Sequence, residues 1–320
     1  MPMLQVGQDK IIVEAPASSA NVGPGFDVFA IALDSPKDRV VISMEGEQLK
    51  IFVEGIDFDK IPVLVDSNTA GIVASTMIRD FNLPKGISIK IIKGIPLAMG
   101  MGSSAASASA VAFGMNRLFS LNLDQNLLVR YASLGEIASA GKPHADNVSA
   151  SLLGGFTIVR SYEPMDVIKV DPPRHLGICI ASPYVFYGAK KTEQFRAVIP
   201  DSIELVKLVH NVGNASAIVA AMFQKDLKLF GRALNDAVVE PARSRLIPGY
   251  SDVKMAASDS GALGVTISGA GPSMIAFFDR GVTDGSEMGK AMCEAFNKAE
   301  VEASYYLTKP GEGTKIIDHK

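Results

Sequence analysis

Pro96-Leu97-Ala98-Met99-Gly100-Met101-Gly102-Ser103-Ser104-Ala105-Ala106-Ser107 decides how this chain is read. Gly100 and Gly102 let the backbone approach a ligand closely and turn its amides inward. A helix is expected from Ser103 to Phe119, and its first N–H groups and positive dipole end favour a phosphate. Ser103 and Ser104 offer hydroxyls to phosphate oxygens or to a magnesium ion, and Ala105, Ala106 and Ala108 keep the helix end slim. Gly-Ser-Ser-Ala is also good capping chemistry, so the loop alone fits a plain capped helix equally well. A Walker A loop needs Gly-x-x-x-x-Gly-Lys-Ser/Thr, and Gly285 to Lys290 fails on spacing and on the following Ala291. Gly100-x-Gly102-x-x-Ala105 mimics a dinucleotide fingerprint, but there the strand runs straight into the first glycine. Here the seven residues Lys93 to Met99 intervene.

Working outward, Ile11–Val13, Val40–Met44 and the alternating Ile87–Ile91 read as strands. Ser67 to Asp80 reads as a helix capped by Asp66 or Ser67, and Asp124 caps another that runs to about Ala140. Gly154-Gly155 precedes a strand at Phe156–Val159. Pro164, Pro172 and Pro173 between Ser161 and Arg174 mark a break, which divides the chain into units at 1–165 and 166–320. The second unit is expected to hold a strand at Gly177–Ala181, helices at Ile203–Phe223 and Leu227–Val239, a strand at Ser273–Phe278 and a helix at Glu287–Lys298. Strands and helices mixed in both halves argue a two-domain α+β or α/β protein.

Apolar residues make up 48% of the 320 and charged residues 20%, enough to bury a sizeable core. A net charge of −3 argues against a polyanion-binding surface, so no nucleic-acid partner is expected. Cys179 and Cys293 form no CxxC pair and read as reduced core thiols, which fits a cytoplasmic protein. Residues 1–10 are polar and lack the apolar core of a leader. No apolar run approaches the ~18 residues of a membrane span. His144, His175, His210 and His319 show no metal-ligand spacing.

Three more segments accompany the loop: Pro16-Ala17-Ser18-Ser19-Ala20-Asn21-Val22-Gly23-Pro24-Gly25-Phe26-Asp27, then Gly141-Lys142-Pro143-His144-Ala145-Asp146-Asn147, and finally Ser268-Gly269-Ala270-Gly271-Pro272-Ser273. With the loop, their order and spacing resemble the GHMP kinases over nearly the whole chain. The first and second of these segments look like the homoserine kinases within that family. The resemblance implies a ribosomal-protein-like N-terminal domain with a left-handed β-α-β unit, and a ferredoxin-like C-terminal domain. It implies a kinase that uses ATP and Mg²⁺, with residues 96–106 on the nucleotide and Ser104 and Glu136 on the metal. One hydroxyl and one carboxylate suffice for Mg²⁺, which keeps phosphate oxygens and waters as its other ligands. Asn68 is the implied adenine contact, with Ser67 as the alternative and helix capping as the competing role.

The acceptor implied is L-homoserine, phosphorylated on its side-chain hydroxyl for threonine synthesis. Asn21 and Asp27 would meet its ammonium end, and Asp27 is otherwise a turn former. Arg196, in Thr192-x-x-x-Arg196, and Arg243, in Glu240-Pro241-Ala242-Arg243, would grip the carboxylate in a forked geometry. Arg245 competes with Arg243. Gly269 completes the substrate site. Asn147 stands where other members carry a catalytic aspartate, and an amide accepts no proton near neutral pH. A mechanism without a base follows, unless Asp146 faces the hydroxyl instead. His144 orients the substrate or is simply structural. Rival acceptors are mevalonate, pantoate and shikimate, none of which has an ammonium for Asp27. A catalytically silent homologue that only binds a ligand or protein is the rival of another class. A homodimer is expected, and no membrane contact.

Overall fold

The computed structural model describes residues 9–185, 187 and 191–319. Most of residues 1–10, whose polarity argued against a leader, lies outside them. The chain opens on β1 (Lys10–Ala20), β2 (Phe29–Ser43) and β3 (Lys50–Gly55), followed by α1 (Thr69–Asp80) and β4 (Ser88–Lys93). α2 (Ser103–Leu118), α3 (Gln125–Gly135), α4 (Ile137–Ala140) and α5 (Asp146–Leu153) follow, then β5 (Phe156–Tyr162), β6 (Met165–Val170) and β7 (Leu176–Pro183). The second half runs α6 (Lys191–Ala197), α7 (Leu205–Gln224), α8 (Leu227–Ala233), α9 (Val239–Ser244), α10 (Tyr250–Asp259), β8 (Gly264–Ile267), β9 (Met274–Asp279), α11 (Ser286–Lys298), β10 (Ala303–Thr308) and β11 (Lys315–His319).

The first sheet has the order β11-β1-β2-β4-β3, with β5 joined to β2 and β6 to β5. β3 and β4 are parallel and α1 connects them, the β-α-β unit of this half. The second sheet has the order β10-β7-β9-β8. Counted within that half, this is strand order 4-1-3-2 with a helix before its second and fourth strands, the ferredoxin-like arrangement. β6 and β11 both belong to the first sheet, so strand pairing does not follow the expected division at residue 165. The proline-marked break there is the β5–β6 hairpin, in which Tyr162 pairs with Met165.

β7 and β9 are apolar on both faces because they lie between two cores. Ile178, Ile180, Ile275 and Phe277 join the core shared with the first sheet. Cys179, Ala181, Ala276 and Phe278 point the other way, toward α10 and α11. Alternation of side chains along a strand makes this division automatic. α2 lies on the inner face of the first sheet, and its small residues let it come close. A Cβ added at Gly114 would come within 2.6 Å of Ile42 Cδ1 and 3.1 Å of Val13 Cγ2. The small residues after Ser103 are therefore packing chemistry as well as loop chemistry.

Several local expectations change. α1 is capped by Asn68 rather than Asp66 or Ser67, its Oδ1 accepting from Ala70 N at 2.9 Å and Gly71 N at 3.2 Å. The helix begun by Asp124 breaks at Glu136, which lies between α3 and α4 instead of inside one helix. α7 also corrects the expectation about apolar runs: Leu205–Gln224 is long and apolar enough to cross a membrane by length and composition. Lys207, His210, Asn211 and Asn214 interrupt the run and conceal it in the sequence.

Candidate active site

The phosphate loop lies between β4 and α2, at the bottom of a cleft of about 510 Å³ where the two sheets meet. Its carbonyls explain its shape. Ala98 O accepts from Lys191 Nζ at 3.0 Å, Met99 O from Ser273 Oγ at 2.6 Å, and Gly100 O from Ser268 Oγ at 2.7 Å. Met101 O accepts from Ser18 N at 3.1 Å. Four consecutive carbonyls thus face donors outside the loop. A planar trans peptide points its N–H opposite its C=O, so the amides of Met99 to Gly102 face the other side. Among the described residues none of those four amides finds a protein acceptor. Gly100 and Gly102 hold φ of 66° and 63°, where side chains are strained. A Cβ on Gly102 would also sit 2.3 Å from Ser18 Oγ.

The two serines divide their work. Ser103 Oγ donates to Ile95 O at 2.9 Å and so locks the loop, contrary to the expectation that both hydroxyls were open to phosphate. Ser104 Oγ donates to Glu136 Oε2 at 3.1 Å. A hydroxyl and a buried carboxylate, side by side at a helix N-terminus, form the sparse oxygen set that Mg²⁺ favours. Beneath them lies a buried ion pair absent from the sequence reading. Lys93 Nζ pairs with Asp38 and donates to Ser103 O at 2.8 Å and Ser107 Oγ at 3.1 Å. Asp38 in turn accepts from Gly94 N at 2.9 Å and Ile95 N at 3.0 Å. Burial pushes the Lys93 ammonium down, and Asp38 opposes that shift.

At the other end of the cleft, Asn21 Nδ2 donates to Gly269 O at 2.8 Å while its Oδ1 accepts from Asp27 N at 2.9 Å. The Asp27 carboxylate is ion-paired with Arg196. Arg243 is buried and donates from Nε to Phe195 O and from Nη1 to Gly269 O, both at 3.1 Å. Each guanidinium lies 5.2 Å from the centre of the Phe26 ring. Phe26 is thus a platform for both arginines, worth roughly 0.5–2 kcal/mol per contact. Arg245 is exposed, whereas Arg243 lines the cleft. Glu240 of the same motif is structural, accepting from Thr266 Oγ1 at 2.6 Å and pairing with Lys254. The Thr192 side chain lies outside the described residues.

His144 Nδ1 stands 4.0 Å from Asp27 Oδ1, and burial pushes the imidazole down. Asn147 Oδ1 accepts from Ser18 Oγ at 3.0 Å, beside Gly102. Asp146 opens α5, fully buried; burial and then the nearby Asp27 charge raise its carboxyl to about 6. Burial brings the Arg243 guanidinium down to about 10, still charged at neutral pH. Asn68 lines the far wall with its amide already engaged, Nδ2 donating to Pro62 O at 2.6 Å. It lies there beside Pro62, Ile61 and Lys60.

Comparison with known proteins matches this arrangement to a family. The model for the GHMP kinase N-terminal domain matches residues 68–155, and that for the C-terminal domain matches residues 218–298. The chain belongs to the GHMP kinases. A homoserine kinase from Methanococcus vannielii is 46% identical over 83% of this chain and 87% of that protein. One from Thermoplasma volcanium is 37% identical over 96% of this chain and 97% of its own. The crystal structure of homoserine kinase from Cytophaga hutchinsonii superposes with a TM-score of 0.90 at 37% identity, covering 98% of this chain and 99% of that one. The two-domain GHMP fold expected from the motifs is the fold observed. All the residues expected at the cleft line it except Ala105 and Ala106, which are fully buried where α2 packs into the core; Lys93 and Lys191 line it too, with Asp38 and Phe26 behind them. Lys93 and Lys191 had no motif to point to them, because Lys93 pairs with Asp38, 55 residues away, and Lys191 holds carbonyls 93 and 80 residues away.

Proposed function

We propose that this chain transfers the γ-phosphoryl group of ATP to the side-chain hydroxyl of L-homoserine, giving O-phospho-L-homoserine in threonine synthesis. One observation carries the reading: an Asp27–Arg196 ion pair flanked by Arg243 opens onto the same cleft as the amide-lined loop. A zwitterionic amino acid inserts into such a pair without net loss of charge partners. Its ammonium takes over Asp27, and its carboxylate takes the freed fork of Arg196 with that of Arg243. An acceptor without an ammonium leaves Asp27 with nothing to exchange. ADP release measured with homoserine, mevalonate, pantoate and shikimate tests this. Turnover with homoserine is expected, and turnover with another alcohol but not homoserine overturns it.

Ser104 and Glu136 would hold Mg²⁺, which would neutralise phosphate charge there. The amides of Met99 to Gly102 and the start of α2 receive the transferring phosphoryl group. Asn147 donates its amide to the acceptor hydroxyl, and no side chain takes its proton. The loose transition state of phosphoryl transfer needs chiefly positioning and charge neutralisation. Asp146→Asn is the decisive variant for that claim. As a positioning neighbour its loss should change kcat less than about threefold, whereas loss of a general base costs roughly 10²–10⁴-fold. The same variant has a stability signature. The folded state holds the Asp146 proton up to about pH 6 and the unfolded state only to 3.8, so wild-type stability falls as pH rises between those values. The shift corresponds to about 3 kcal/mol, so Asp146→Asn should be the more stable protein at pH 7.5 and show little gain near pH 4, read by thermal unfolding.

The protein acts in the cytoplasm as a homodimer on this reading, and α7 offers the surface. Its first two turns are exposed on every side, with Leu205 73%, Val206 68% and Val209 64% exposed. With Ile203, Leu208 and Val212 they form one exposed apolar face. Lys207 and His210 are the only basic side chains on α7 and it carries no acid, so the face suits a second copy of itself better than a charged partner. Light scattering after gel filtration should show a dimer at micromolar concentration, and Leu205→Glu with Val209→Glu a monomer. A monomeric wild type overturns the assignment, and flotation of that monomer with lipid vesicles would give the face to a membrane.

A further inference from the structure

We propose that Lys191 is a positioning residue that couples the acceptor end of the cleft to the phosphate loop, so that homoserine tightens nucleotide binding and nucleotide tightens homoserine binding. The inference rests on the acceptor reading above. Lys191 opens α6, the seven-residue helix that also carries Arg196. Its buried Nζ donates to Ala98 O at 3.0 Å and to Gly271 O at 2.6 Å, joining the loop before α2 to the loop after β8. Ala98 is the one residue of that loop other than glycine with positive φ, at 59°. A conformation that side chains disfavour persists only while its surroundings hold it, and Lys191 supplies the bond at that residue.

The geometry around Gly269 completes the connection. Gly269 O accepts from Asn21 and Arg243, both at the acceptor end, while Ser268 and Ser273 on either side of it hold Gly100 O and Met99 O. Of the loop's four outside donors, Lys191 alone shares a helix with an acceptor-site arginine. When an amino acid displaces Asp27 from Arg196, α6 shifts as one short rigid unit. Its first residue transmits that shift to Ala98 and through it to the amides of Met99 to Gly102. Two sites joined by such an element have one coupling free energy, and each ligand changes the other's affinity by the same factor.

Isothermal titration of a non-hydrolysable ATP analogue with Mg²⁺, with and without saturating L-homoserine, reads the coupling directly. The wild type should bind the analogue roughly 5–150-fold tighter with homoserine present. Lys191→Met should bring that ratio near one, and Lys191→Arg, which keeps a donor on α6, should restore much of it. An unchanged ratio in Lys191→Met overturns the proposal. So does a weakening of nucleotide binding that is equal with and without homoserine, the mark of a purely structural lysine. If homoserine fails to bind the wild type at all, the acceptor reading is what fails. The ratio is then measured with mevalonate, pantoate or shikimate, whichever the turnover assay returns.

Discussion

Glu136→Gln is expected to lower kcat by about 10²–10³-fold at saturating substrates, the scale on which single groups that stabilise transition-state charge act. Glutamine keeps the shape of the side chain and can still accept the Ser104 hydroxyl, while the negative charge is lost. That charge is buried beside Ser104 at the first turn of α2, and its field favours the charged form of Lys93. Mg²⁺ demands a hard anionic oxygen, and an amide is a poor substitute. The Mg²⁺ concentration for half-maximal rate should rise with the loss of kcat, while thermal unfolding stays near that of the wild type. A rate within threefold of wild type at ordinary Mg²⁺ would remove Glu136 from the metal site.

Arg243→Met is expected to raise the KM for homoserine by about 100-fold or more, since truncating one partner of a buried charge pair costs roughly 2–5 kcal/mol. Arg243 is nearly inaccessible, and its fork is set by Phe195 O, Gly269 O and the Phe26 ring. Methionine replaces its apolar stem and nothing of its charge. The KM for ATP should move less than threefold, because the loop's carbonyls are held by other donors. Arg243→Lys discriminates further: it restores charge without the fork, so a bidentate role predicts only partial recovery. If both KM values rise together, Arg243 supports the cleft without meeting the substrate's carboxylate.

The motifs placed the cleft in the sequence because each is local. The glycines and serines of residues 100–104, the Asn21–Asp27 turn and the Glu240–Arg243 segment each fold into their role over a few neighbouring residues. Lys93 with Asp38 and Lys191 were illegible for the opposite reason. Lys191 reaches carbonyls 93 and 80 residues away, and Lys93 an aspartate 55 residues away, so no spacing rule connects them. Asn68 was seen as a ligand contact, and its capping role went to Asp66 or Ser67 because all three are good caps and boundaries drift by a residue or two. The hairpin of β5 and β6 read as a linker because Pro164 signals both a turn and a break. The two strands after α11 left little pattern, since β10 is only half-buried throughout and β11 is short.

β11 has a consequence for how the chain is made. It pairs with β1 along Ile11 to Glu14, so β1 receives one of its two neighbours only after β10 has been made. Until β11 is made, β1 presents an open edge, the kind of edge that other chains can join. Vectorial folding can therefore raise the first sheet but cannot seal it before β11 emerges. Truncation after Thr314 should yield a chain that retains the whole cleft yet is recovered mostly in aggregates.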